Sequence, residues 1–157
     1  MSKGGAVYIF DTSAFIAAWS EAYPIESFPV LWKRLDELIQ QGRLIAPYEV
    51  FRELGKKDGD AHAWLKPRKN LFRHEDEQLQ ISAAEVLRQF PKLMKAGGSR
   101  GAADPWVVAL ARVERGIVVT KEDMGSEQKP KIPYACRHYG LECVKVLAVI
   151  RGEGWTF

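Results

Sequence analysis

Short runs of β-branched and aromatic residues alternate with longer amphipathic stretches along the chain. Residues 7–10 (VYIF), 43–47 (RLIAP) and 117–120 (IVVT) are too short for helices and show little polar alternation, so each reads as a buried strand. From Pro29, VLWKRLDELIQQG places Val30, Leu31, Leu35, Leu38 and Ile39 on one stripe, and Gly42 supplies the stop. DPWVVALARVERG has Asp104 at a cap position and Pro105 in the first turn. Apolar residues recur at Trp106, Val107, Leu110 and Val113, and Gly116 closes it. Strands separated by helices pair in parallel and need helices over both sheet faces, which predicts an α/β fold with a mainly parallel sheet.

The remaining pattern is filled in the same way. Ser13 is read as the cap of a helix through Phe15, Ile16 and Trp19, and YEVFREL (48–54) as a helix with Val50, Phe51 and Leu54 inward. A further helix is expected over 61–65, and the basic stretch KPRKNLFRH (66–74) is expected to be irregular. QLQIS (78–82) is read as a strand, AAEVLRQFPKLMKA as a helix divided at Pro91, and GGSRGA as a loop. KIPYACRHYG is a short helix, and CVKVLAVI (143–150) is expected to be the last strand. Residues 1–157 read as one domain, with 1–5 as a tail.

Composition narrows the class. A hydrophobic share of 46% and a charged share of 27% are ordinary for a globular protein, and no stretch approaches the length needed to span a bilayer. Net charge is +3, compatible with a polyanionic partner. Cys136 and Cys143 form no CxxC pair, and with His138 they match no common zinc spacing, so reduced thiols in a cytoplasmic setting are expected. GGSRG lacks the Lys-Ser/Thr that would make it a phosphate-binding loop.

Acidic residues fall where this fold binds ligands, at the carboxyl ends of the strands. Asp11 directly follows the first strand, and Glu122 and Asp123 follow IVVT. Asp104 opens the helix that feeds IVVT, while Glu49 and Glu53 share a face of the helix after RLIAP. Each has a plainer reading: a turn, a helix cap worth about 1 kcal/mol, a solvated surface residue, or loop charge. Together they favour one edge, and clustered carboxylates would repel unless a cation sat between them. Oxygen-only donors suit Mg²⁺ or Mn²⁺ rather than zinc. Thr12 and Ser13 are expected to orient Asp11, and Thr120 to orient Glu122.

Four segments, VYIFDTSAFI, APYEVFREL, ADPWVVALA and GIVVTKED, stand in an order and spacing that resemble the PIN domain family of metal-dependent nucleases. The resemblance covers most of the chain and is closest to a bacterial branch similar to VapC-type toxins. It implies a three-layer α/β/α sandwich and hydrolysis of RNA phosphodiesters by water activated at a divalent ion. Carried across by motif, Asp11, Glu53 and Asp104 match the three core acids. The fourth acid falls at Glu122, where aspartate is commoner, with Asp123 next to it. The resemblance also implies an antitoxin partner and self-association, expected here as a homodimer.

For RNA phosphates, Lys66, Arg68, Lys69 and Arg73 form the densest basic patch, and Arg100 and Lys121 lie nearer the acids in sequence. Trp64 and Phe72 offer stacking surfaces, with core packing as the plainer reading. Two other functions compete with cleavage. One is a PIN-like module that binds RNA or protein without cutting. The other is an aspartyl-phosphate enzyme or receiver using Asp11 as acceptor. The first of these two chemistries wants a second Asp where Ser13 stands, and the receiver wants adjacent acids at the first strand's end.

Overall fold

A computed structural model of the chain describes residues 5–94 and 102–157. Five strands form one parallel sheet: β1 (Tyr8–Phe10), β2 (Leu44–Pro47), β3 (Phe72–Arg73), β4 (Ile117–Val119) and β5 (Cys143–Val144), in the order β3-β2-β1-β4-β5. Eight α-helices accompany it among the described residues. They are α1 (Thr12–Ile16), α2 (Pro29–Gln40), α3 (Tyr48–Lys57), α4 (Gly59–Leu65), α5 (Glu77–Gln89), α6 (Asp104–Glu114), α7 (Ile132–His138) and α8 (Val146–Gly152). The architecture is the expected α/β/α sandwich.

β1 is the centre. Tyr8, Ile9 and Phe10 are all buried and stand in register with Ile117, Val118 and Val119 on one side, while Tyr8 and Ile9 pair with Leu44 and Ile45 on the other. Connections from β1 lead outward through β2 to β3. The chain then returns through α5 and α6 to the other side of β1 and leads outward again from β4 to β5. The sense of winding therefore reverses between β1 and β4. Right-handed crossovers place α5, α6 and α7 on one face and the helices between β1 and β3 on the other. A crevice opens beyond the strand ends at such a switch point. No helix among the described residues is long and apolar enough to cross a membrane.

Several elements differ from the sequence reading. α1 is capped by Asp11, whose Oδ1 accepts from the Ala14 N–H at 2.7 Å, and not by Ser13. It runs on into a π-helix, Ala17–Ala22. On α2, Val30 faces outward and Trp32 takes the buried place. QLQIS lies inside α5: Asp76 accepts from the Leu79 N–H, and Leu79, Ser82, Ala83 and Val86 are buried at helical spacing. β3 lies inside the stretch expected to be irregular. CVKVLAVI splits after two strand residues, because Val146, Val149 and Ile150 recur every three or four positions and form the inner side of α8. GGSRG falls outside the described residues.

Asp104 is the first residue of α6, one place beyond the cap, which is Ala103. At the other end Arg115, not Gly116, takes the left-handed conformation, with φ 54°. Gly116 serves a different need. A Cβ there would lie 2.2 Å from Ile9 Cδ1 and 2.9 Å from the Val7 carbonyl oxygen, so only glycine lets β4 approach β1 at this register. Gly116→Ala is expected to cost about 1–3 kcal/mol by overpacking, measured by urea denaturation.

Candidate functional site

The crevice at the β1–β4 switch point is a cleft of about 280 Å³. Asp11, Glu53, Asp104 and Glu122 all line it, from the end of β1, the middle of α3, the start of α6 and the loop after β4. Asp123 is exposed and does not line it, so the acid two residues beyond Thr120 is the one that faces the cleft.

Neutral donors hold the acids in place. Asp11 accepts from Ser13 Oγ at 2.9 Å on both carboxylate oxygens and from Thr120 Oγ1 at 2.5 Å. Burial pushes its carboxyl up to about 7, against the pull of Thr120, Ala14 and Ser13, and neighbouring Glu122 pushes the same way. Thr12 orients a different acid from the one expected. Its Oγ1 donates to Glu53 Oε1 at 2.6 Å, joining α1 to α3, while the Ala103 N–H reaches Glu53 Oε2 at 3.3 Å. Thr120 serves Asp11 through its proton, and its oxygen accepts from the backbone N–H of Glu122 at 3.0 Å. The Glu122 carboxylate accepts from the Ile132 N–H at 3.3 Å.

Glu49 stands apart from this group. It does not line the cleft. Burial, and then a carboxyl–carboxylate contact with Glu75, push it up to about 7. The i, i+4 spacing to Glu53 was a guide to helix face only.

The expected basic patch is also elsewhere. None of Lys66, Arg68, Lys69 and Arg73 lines the cleft. Arg68 is engaged by Asp36 at 2.8 Å and by the Trp64 carbonyl, and lies over the Trp64 ring. Trp64 packs with Trp19 and Trp32, and Phe72 is buried, so both belong to packing. Arg100 falls outside the described residues. Lys121 does line the cleft and pairs with Glu21. Lys57, which lines it too, was missed; it lies one helical turn beyond Glu53 on α3, a spacing that would have found it. Cys136, buried on α7, and Cys143, half-buried on β5, are both free.

The donor set is all oxygen and suits a hard dication such as Mg²⁺ or Mn²⁺. It is not pre-closed: among the described residues no three acid, His or Cys side chains are grouped tightly enough to cage an ion. Glu53 and Glu122 already accept hydrogen bonds, and each carboxylate keeps further lone pairs for an ion.

A family model for a domain of unknown function, DUF4411, matches residues 8–157. The chain belongs to the DUF4411 family. The match includes every residue of the cleft, from Asp11 to Glu122. No curated protein matches the chain.

Proposed function

We propose that this DUF4411 chain is an Mg²⁺- or Mn²⁺-dependent endoribonuclease of the PIN-like kind. The supporting observation is the convergence of Asp11, Glu53, Asp104 and Glu122, from four separate chain segments, on one cleft at the switch point of the sheet. When bound there, the ion supplies positive charge that acidifies water and offsets charge on the phosphate. The chain's own residues do the rest. Ser13 and Thr120 hold Asp11 in one orientation, and Thr12 holds Glu53. Lys57 and Lys121 bring positive charge to a phosphate entering the cleft. The oxygen of water bonds to phosphorus in line as that water gives up one proton to solvent, the bond to the leaving ribose oxygen breaks, and that oxygen takes up one proton from solvent.

A second reading, a PIN-like module that binds RNA or protein without cutting, draws on the local donors that already engage Glu53 and Glu122. A toxin role, an antitoxin partner and a homodimer extend the proposal on the sequence resemblance alone, and a cytoplasmic setting extends it on the two free cysteines.

The test is cleavage of single-stranded RNA with Mn²⁺, with Mg²⁺ and with excess chelator, alongside thermal melting. Cleavage that chelation abolishes supports the enzyme. At a hundred-fold excess over its dissociation constant, an ion bound to the folded state alone adds about 2.7 kcal/mol of stability. No cleavage and no ion-dependent melting shift would favour the binding module.

A further inference from the structure

Beside the acidic cleft lies a second cavity of about 230 Å³. Glu21 and Lys121 line both, and their side chains pair, so a single ion-paired ridge divides the two spaces. The walls beyond the ridge have a different chemistry. Ala14, Ala17 and Ala22 line one side and Val146 and Leu147 the other, with Tyr23 also contributing. The recess exists because the wall following β1 carries alanines, where larger side chains would fill the space. The π-helix that holds Ala17, Glu21 and Ala22 has the wider turn often found at functional sites.

Leu147 is 46% exposed, a large apolar side chain at the mouth of this recess. The rim is cationic. Lys145 Nζ donates to the carbonyl oxygens of Lys121 at 3.0 Å and Glu122 at 3.5 Å, which pins the backbone of the ridge. Lys121 gives one of its three N–H donors to Glu21 and has two more. An apolar recess with one tyrosine in its lining and a lysine at its lip, next to a carboxylate-lined cleft, complements one kind of ligand. That ligand is a flat base joined through a sugar to a phosphate.

We propose that this cavity receives the base of the nucleotide adjoining the phosphodiester held in the acidic cleft. Tyr23 and Leu147 contact the base, and Lys121 sits at the linking phosphate. The inference rests on the ribonuclease reading, and it adds where the RNA lies: across the Glu21–Lys121 ridge, with α8 as part of the substrate surface.

Two variants test it without touching the acids. Leu147→Glu places a charge in an exposed apolar wall, and Ala22→Trp fills the recess from an exposed position. Each is expected to lower kcat/KM for a short single-stranded RNA about ten-fold, through KM, while leaving a base-free ribose-phosphate oligomer cut at the wild-type rate. AMP and UMP, titrated separately, should shift the amide signals of Ala17, Ala22 and Leu147 in the wild type and not in the variants. If the wild type and both variants cut RNA equally well, the base site is overturned and the nuclease reading stands. If the wild type cuts no RNA yet nucleotides shift those signals, the nuclease reading fails and the base site stands. No cleavage and no shift overturns both.

Discussion

Asp11→Asn is expected to abolish ion-dependent RNA cleavage, by about a thousand-fold or more, and to make the ion-free protein more stable at pH 8. The first effect follows from removing a charged ligand, which should exceed the 10–100-fold cost of losing an outer partner of a metal site. The second follows from burial. Asp11 is 2% exposed, and its carboxyl is pushed from an ordinary 3.8 up to about 7. The folded state therefore holds a proton that the unfolded chain releases. This favours folding fully below about 3.8, and the contribution is lost as pH rises through about 7. At pH 8 the buried carboxylate opposes folding by roughly 4 kcal/mol at most.

Asn carries no charge to desolvate, and its carbonyl oxygen can still accept from the Ala14 N–H. Its amide group must be met by rotated hydroxyls of Ser13 and Thr120, so the net gain shrinks to about 1–3 kcal/mol. Urea denaturation in chelator at pH 4 and pH 8 measures it: the gain should appear only at the higher pH. Added Mn²⁺ should reverse the ranking, because only the wild type gains binding energy. A variant that still cleaves with Mn²⁺ would remove Asp11 from the mechanism. One that is less stable at pH 8 would contradict the burial argument.

What the chain disclosed before its structure was known depended on the kind of signal. β1, β2 and β4 were legible because each is buried on both faces and carries no polar alternation. Their carboxyl ends then located the crevice, and Asp11, Glu53, Asp104 and Glu122 all proved to line it. β5 was overextended because Val144, Val146, Val149 and Ile150 are good strand residues individually. Only their spacing past Lys145 is helical. β3 has two residues, too few for any period to register.

Partnerships across the fold were the least legible. Thr12 neighbours Asp11 in sequence, yet the first turn of α1 rotates its hydroxyl toward α3, where it meets Glu53 forty-one residues away. Arg68 sits in a basic run that the sequence offers as a patch for RNA phosphates. Its guanidinium is satisfied by Asp36 on α2, which no local pattern reveals. Periodicity gives the face of an element, and the partner opposite that face depends on how the layers stack.

Thr120 is where that stacking bears most on the proposed chemistry. One hydroxyl donates to Asp11 Oδ2, accepts from the Glu122 N–H and lies 3.1 Å from Ser13 Oγ. It thus links the end of β1 to the loop after β4, the two segments flanking the switch point. Thr120→Val keeps the shape and removes every one of these bonds. Asp11 then loses a donor that favours its charged form, so its carboxyl should rise further and compete worse for a cation at neutral pH. Ion affinity should fall about 10–100-fold. Ion-free stability should fall by about 1–3 kcal/mol for the buried groups left unpaired. Thr120→Ser restores the hydroxyl and should recover the affinity, although it leaves a methyl-sized gap. Mn²⁺ titration by calorimetry on all three proteins separates the outcomes. If Ser weakens the ion and Val does not, Thr120 acts through packing alone; if neither does, Asp11 is not positioned through this residue.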